Sequence, residues 1–134
     1  MSENLDLARS IFVAWGRGDF SATDWAAADI LWVRPDGPEA GEWSGLKDMG
    51  EGWRQTLSSW EGFRVEPEAY RQLDDQRVLV LVTFCGRGKS SGLEVGQLTQ
   101  RGAAILRVRE GRVTTLVTYW DRDRALADLG LEDG

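Results

Sequence analysis

The sequence predicts an α+β fold in which helices close a curved antiparallel sheet around one apolar pocket. Three observations carry this reading. Apolar residues recur at helical spacing over most of the first 60 positions, and from Phe63 onward they alternate at strand spacing. A chain of 134 residues has room for one domain, 1–134, that buries roughly two-thirds of the surface its unfolded form exposes.

The elements follow in order. Leu5, Ala8, Ile11, Phe12 and Trp15 form one apolar stripe, with Glu3 and Asp6 in the first turn, so residues 3–17 read as a helix that Gly16 and Gly18 end. Ser21 then caps a short second helix to Ala28, with Asp24 completing an Asp variant of the capping box. Ile30 to Arg34 is a strand, and Pro35-Asp36-Gly37-Pro38 turns it back through Gly41-Glu42-Trp43. Ser44 caps a third helix with Leu46, Met49, Trp53, Leu57 and Trp60 on one face. Gly50 and Gly52 lie inside that helix, where each costs about 1 kcal/mol relative to Ala unless close packing requires it.

Four long strands come next, Phe63–Leu73, Arg77–Gly86, Leu93–Arg109 and Arg112–Trp120, the last two joined at Glu110-Gly111 as a hairpin. Asp121 opens a short C-terminal helix that Gly130 stops. Val78 to Phe84 is apolar on both faces, which requires both faces to be covered. With the helices assigned to one face, the expectation is a homodimer through Leu79, Leu81, Ile105, Val117 and Tyr119.

Composition excludes several function classes. A net charge of −6 argues against a nucleic-acid partner, and no apolar run approaches the roughly 20 residues that span a membrane. One cysteine, Cys85, forms no intrachain disulfide, and the acidic N-terminus is unlike a signal peptide; both fit a cytoplasmic protein. The absence of histidine rules out Ser-His and Cys-His pairs and imidazole metal ligands, leaving as base an Asp or Glu, or else a Tyr, Lys or thiolate with a perturbed pKa; no cofactor or metal is implied. Seven tryptophans suit a thick core or a wide aromatic-lined cavity.

The element order resembles the cystatin-like cone of nuclear transport factor 2, ketosteroid isomerase and the SnoaL-like polyketide cyclases: three N-terminal helices packed on a curved antiparallel sheet, with a short C-terminal helix. The stretches that carry the resemblance are Ala14-Trp15-Gly16-Arg17-Gly18-Asp19-Phe20, Trp43-Ser44-Gly45, Arg109-Glu110-Gly111-Arg112-Val113 and Tyr119-Trp120-Asp121-Arg122. Such a fold hosts isomerases, cyclases, hydrolases and binding modules alike, so it implies a shape and not a reaction. The positions corresponding to the isomerase base, Tyr and Asp hold Arg34, Ile11 and Ala104, and those of the limonene-epoxide hydrolase Asp-Arg-Asp set hold Val82, Phe84 and Thr118. Neither set is retained.

Strand alternation within that fold places Leu116, Thr118 and Trp120 on the concave face beside Val82, Phe84 and Ala104. Trp32 and Arg34 line the hairpin side, and Trp15 and Trp53 close the pocket from the helices. These residues are the expected site for a lipophilic small molecule, although an ordinary filled core has the same composition. Arg34 is either an anion-binding fork in the pocket or a rim arginine paired with Asp36 or Glu42. Asp121 is the candidate base, its alternative being a helix cap. Two functions remain open: a binding domain without turnover, and an isomerase, cyclase or hydrolase with an Asp base.

Overall fold

The computed structural model describes residues 3–37, 40–88 and 97–131. The element order is α1 (Glu3–Gly16), β1 (Ala26–Arg34), β2 (Gly41–Ser44), α2 (Gly45–Ser59), β3 (Trp60–Gln72), β4 (Arg77–Gly88), β5 (Gln97–Arg109), β6 (Arg112–Tyr119) and α3 (Arg122–Asp128). Pro38 and the predicted strand start at Leu93 lie outside the described residues.

The expected short helix at 21–28 is absent. Asp19 accepts hydrogen bonds from both the main-chain N–H and the hydroxyl of Ser21, at 3.1 and 2.7 Å, so Ser21 is held in an Asp-led turn and caps nothing. The alanines that follow belong to β1, where Ala26 pairs with Val113 and the Trp25 carbonyl accepts from the Val113 N–H. Tertiary pairing overrides the weak helical preference of a short alanine run. The helices are therefore interleaved with strands, two before β3 and one at the end.

All six strands form one sheet in the order β2-β1-β6-β5-β4-β3. The expectation of a wholly antiparallel sheet fails at one seam: β1 runs parallel to β6, with Trp32 opposite Leu116 and Val33 opposite Val117. Every other pairing is antiparallel. The β5–β6 connection is the predicted hairpin, and both its turn residues, Glu110 and Gly111, have positive φ.

Helices α1 and α2 cover the inner face. α1 buries Ala8, Ile11, Phe12 and Trp15, the stripe read from the sequence. α2 buries Met49, Gly52, Trp53 and Thr56; Ser44 occupies its N-cap position without a side-chain hydrogen bond, and Trp60 has already entered β3. Val78, Val80, Val82, Phe84, Ala104, Leu106 and Leu116 complete this inner core.

The outer face has its own cover. Leu79, Ala103, Ile105 and Tyr119 pack with Ala125 and Leu126 of α3, and Leu129 and Leu131 extend the patch. Leu79, Ile105 and Tyr119 are thus buried within the chain, while Leu81 and Val117 are partly buried. The premise that the helices cover one face alone is corrected, and the two-faced apolar strand does not by itself require a second copy.

A buried arginine fixes α3 to the sheet. Arg122 is 5% exposed; its Nε donates to the Gly102 carbonyl at 3.0 Å and its Nη2 to the Val82 carbonyl at 2.7 Å and to Glu68. It is a cross-strand tie. Glu68 also accepts from the Thr83 hydroxyl, and that bond, followed by the Arg122 guanidinium, holds its carboxyl below the ordinary value of 4.5. Nearby, the Tyr119 hydroxyl donates to Asp128, and burial with that bond pushes its pKa up to about 12.

Two glycines of α2 behave oppositely. A Cβ at Gly52 would lie 2.8 Å from Trp32 and 2.9 Å from Trp43, whereas one at Gly50 meets nothing within 4 Å. Urea unfolding is expected to show Gly50→Ala raising stability by about 0.5–1 kcal/mol and Gly52→Ala lowering it by about 1–3 kcal/mol. Equal effects at both positions would contradict the packing. For Glu68, a depressed folded pKa means a contribution that is present above about pH 4.5 and lost as pH falls through the folded value. Melting temperatures across acid pH should therefore fall less steeply in Glu68→Gln than in the parent, the parent being more stable near neutrality.

Candidate functional site

The inner face is not filled to its end. Where β1 and β6 finish, a recess remains between the sheet and the two helices. Its walls are Phe12 and Trp15 from α1, Trp53 and Thr56 from α2, and Trp60, Phe63 and Val65 from β3. Val82 and Phe84 of β4, Ala104 of β5, and Arg34, Asp36, Thr118 and Trp120 complete it. Its cavity volume is only about 30 Å³. As built it is a narrow slot between rings.

Most of the predicted pocket residues meet here. Trp15, Arg34, Trp53, Val82, Phe84, Ala104, Thr118 and Trp120 all line the slot. Trp32 and Leu116 do not: both are fully buried and form the layer behind it. Asp121 is also elsewhere. It is exposed, and its carboxylate accepts the Asp123 N–H at 3.0 Å as the N-cap of α3. The candidate base is thereby corrected to a helix cap.

The carboxylate that lines the slot is Asp36, which the sequence reading treated as a turn residue. Its two oxygens accept the main-chain N–H groups of Trp120 at 2.7 Å and Asp121 at 3.1 Å. Asp36 thus ties the β1–β2 turn to the end of β6. Gly37, with φ of 87°, follows; a Cβ there would lie 2.7 Å from the Trp120 Cβ, so only glycine lets the turn close down on that tryptophan.

Rings dominate the walls. Phe63, Phe84 and Trp120 stack in sequence, with centroids 6.2 and 5.3 Å apart and planes within 16° and 15° of parallel. Trp60 lies 6.3 Å beyond Trp120 at the mouth. On the helix side, Trp53 stacks on Trp32 at 4.7 Å and meets the edge of Trp15 at 5.0 Å. Gly102 makes this possible, since a Cβ there would fall 2.3 Å from Phe84 and 2.4 Å from the Tyr119 carbonyl. The signal missed in the sequence was Phe63 and Val65, which alternate on the inner side of β3, and Phe12 on the α1 stripe.

Polar groups are few. The Arg34 guanidinium lies 4.6 Å over the Trp32 ring and 5.7 Å from that of Trp43, two cation–π contacts that hold a positive charge beside the slot. The buried Thr118 hydroxyl accepts from Trp32 Nε1 at 3.0 Å, and that of Thr56 donates to the Gly52 carbonyl. Cys85 is buried outside the slot, and burial pushes its thiol pKa up, which leaves it a poor nucleophile at neutral pH. Among the described residues no group of three or more Cys, Asp or Glu is placed to hold a metal, and no helix is long and apolar enough to cross a membrane.

A two-helix lid on a curved six-stranded sheet with a ring-lined slot at one end defines a nuclear transport factor 2-like cone. The chain belongs to the SnoaL-like domain family, whose match covers residues 8–116. It is similar to an NTF2-like protein of unknown function from Burkholderia pseudomallei, with a TM-score of 0.76 and 21% identity over 95% of this chain and 97% of that one. TerC co-crystallised with polyporic acid gives a TM-score of 0.74 and 19% identity over 97% and 98% of the two chains. A candidate polyketide cyclase from Xanthomonas campestris pv. campestris gives 0.69 and 19% over 93% and 95%. At these identities the likeness shows the fold alone. No curated protein matches the chain in sequence. Of the positions compared with catalytic relatives, Arg34, Val82, Phe84, Ala104 and Thr118 line the slot and Ile11 does not.

Replacing Asp36 by Ala removes the acceptor of two main-chain donors and should cost about 1–3 kcal/mol in urea unfolding. A shift in tryptophan emission should accompany it as Trp120 loses its anchor. An unchanged midpoint would show that the turn is held by other contacts.

Proposed function

We propose that the chain is a small-molecule-binding SnoaL-like domain whose slot takes up a lipophilic, ring-bearing ligand without needing to transform it. The observation that supports this is the wall itself: rings from α1, α2, β3, β4 and the residue just past β6 converge on one opening, with polar groups confined to a few positions. That is the usual make-up of a ligand site. A ring-sized ligand enters as Trp60 and Trp120 turn aside; both are only partly buried. One similar structure, TerC, was co-crystallised with polyporic acid, which is in keeping with this reading.

A second reading, an isomerase, cyclase or hydrolase with a carboxylate base, draws on one observation. Asp36 lines the mouth. Its oxygens are already engaged by main-chain donors, and no histidine is available to share the work. Binding without turnover is therefore the reading preferred here.

A thermal-shift screen of flat hydrophobic carboxylates and polyketide-like rings tests it. A ligand present at about 100 times its Kd stabilises the folded state by about 2.7 kcal/mol and should raise the melting temperature by several degrees. Ala104→Phe, which fills the slot, should abolish that rise. No shift across the set would mean that the rings are an ordinary filled core.

A further inference from the structure

One buried polar group in the slot is only half used. Thr118 is 8% exposed, and its hydroxyl oxygen accepts the Trp32 Nε1–H at 3.0 Å. Its own O–H proton has no acceptor among the described residues. A hydroxyl carries a donor as well as acceptor sites, and a buried donor left unmatched is costly. Because Thr118 lines the slot, that donor is available to whatever occupies it.

Arg34 stands beside it. β1 and β6 run parallel with Val33 opposite Val117, so Arg34 and Thr118 lie one residue further along adjacent strands, and both line the same end of the slot. The indole of Trp32 links the two, carrying the guanidinium 4.6 Å over its ring while its N–H fixes the Thr118 oxygen. A guanidinium has five N–H donors, so it can keep protein contacts and still reach a ligand oxygen. The neighbouring carboxylate, Asp36, has each oxygen taken by a main-chain N–H.

We propose that this end of the slot is an oxyanion subsite, in which Arg34 and Thr118 hold the carboxylate or enolate oxygen of a ligand whose flat ring lies against Trp53, Phe84 and Trp120. The inference deepens the binding reading and rests on it. The ligand is then an amphipathic acid: apolar and planar along most of its length, with one anionic oxygen at the mouth. Charge-assisted bonds from a partly desolvated guanidinium are the strong ones, which makes the anion the discriminating feature and the rings the source of general affinity.

The test compares 2-naphthoate with its neutral amide, 2-naphthamide, by tryptophan quenching on the full chain at neutral pH. The acid should bind at least about tenfold tighter than the amide, the factor expected for one charged hydrogen bond. In Arg34→Gln the ratio should fall close to one. Thr118→Val should weaken the acid by about threefold to tenfold while Thr118→Ser retains it, and circular dichroism checks that each variant is folded. Equal binding of acid and amide by the parent, or an undiminished ratio in Arg34→Gln, would overturn the subsite and leave the slot as a neutral binding site. Absence of binding by both probes would overturn the binding reading and the subsite together.

Discussion

The aromatic wall stands because glycines lie beneath its rings. Gly102 admits Phe84, Gly52 admits Trp32 and Trp43, and Gly37 admits Trp120; a single Cβ at any of these would come within 3 Å of a ring atom. Interiors are packed to crystalline density, so a chain with seven tryptophans must supply small neighbours at matching positions or be forced open. The stack of Phe63, Phe84 and Trp120 and the pair of Trp32 and Trp53 are the outcome of that matching. The slot is the space left where the matching stops.

Two polar ties then hold the wall in place from behind. Arg122 reaches from α3 to the carbonyls of Val82 and Gly102, the facing residues of β4 and β5, and to Glu68 of β3. Asp36 grips the main chain at Trp120 and Asp121. Each joins segments far apart in the chain, and each acts where the sheet meets the slot. A buried charge is costly alone, but these partners are main-chain groups and carboxylates whose positions the sheet already determines. Stability and the shape of the slot therefore share the same contacts.

The chemistry of the slot follows from what the SnoaL-like frame holds here. Of the six positions that the resemblance sets against catalytic groups, Val82, Phe84, Ala104, Arg34 and Thr118 line the slot and Ile11 does not. Apolar side chains there cannot move protons, whereas an arginine and a hydroxyl can hold an anion. The polar groups of the slot are gathered at one end, and rings line it elsewhere.

Much of this was legible in the residues themselves. Local periodicity determined α1, α2 and the long strands, because Ala8, Ile11, Phe12 and Trp15 or Val78, Val80 and Val82 have one way to share an apolar face. Alternation likewise named most of the slot. What sequence could not decide depended on distant partners. Ala26–Ala28 became strand because Val113 pairs with Ala26, against their own helical preference. The outer face was covered by α3, a helix too short for its packing site to be read from periodicity. Asp121 and Asp36 exchanged expected places for the same reason: a carboxylate's role is set by the N–H groups that reach it, and at Asp36 those belong to residues more than 80 positions away. The sequence by itself determined the elements and the aromatic character of the slot; only the tertiary structure decided which charges stand at its mouth.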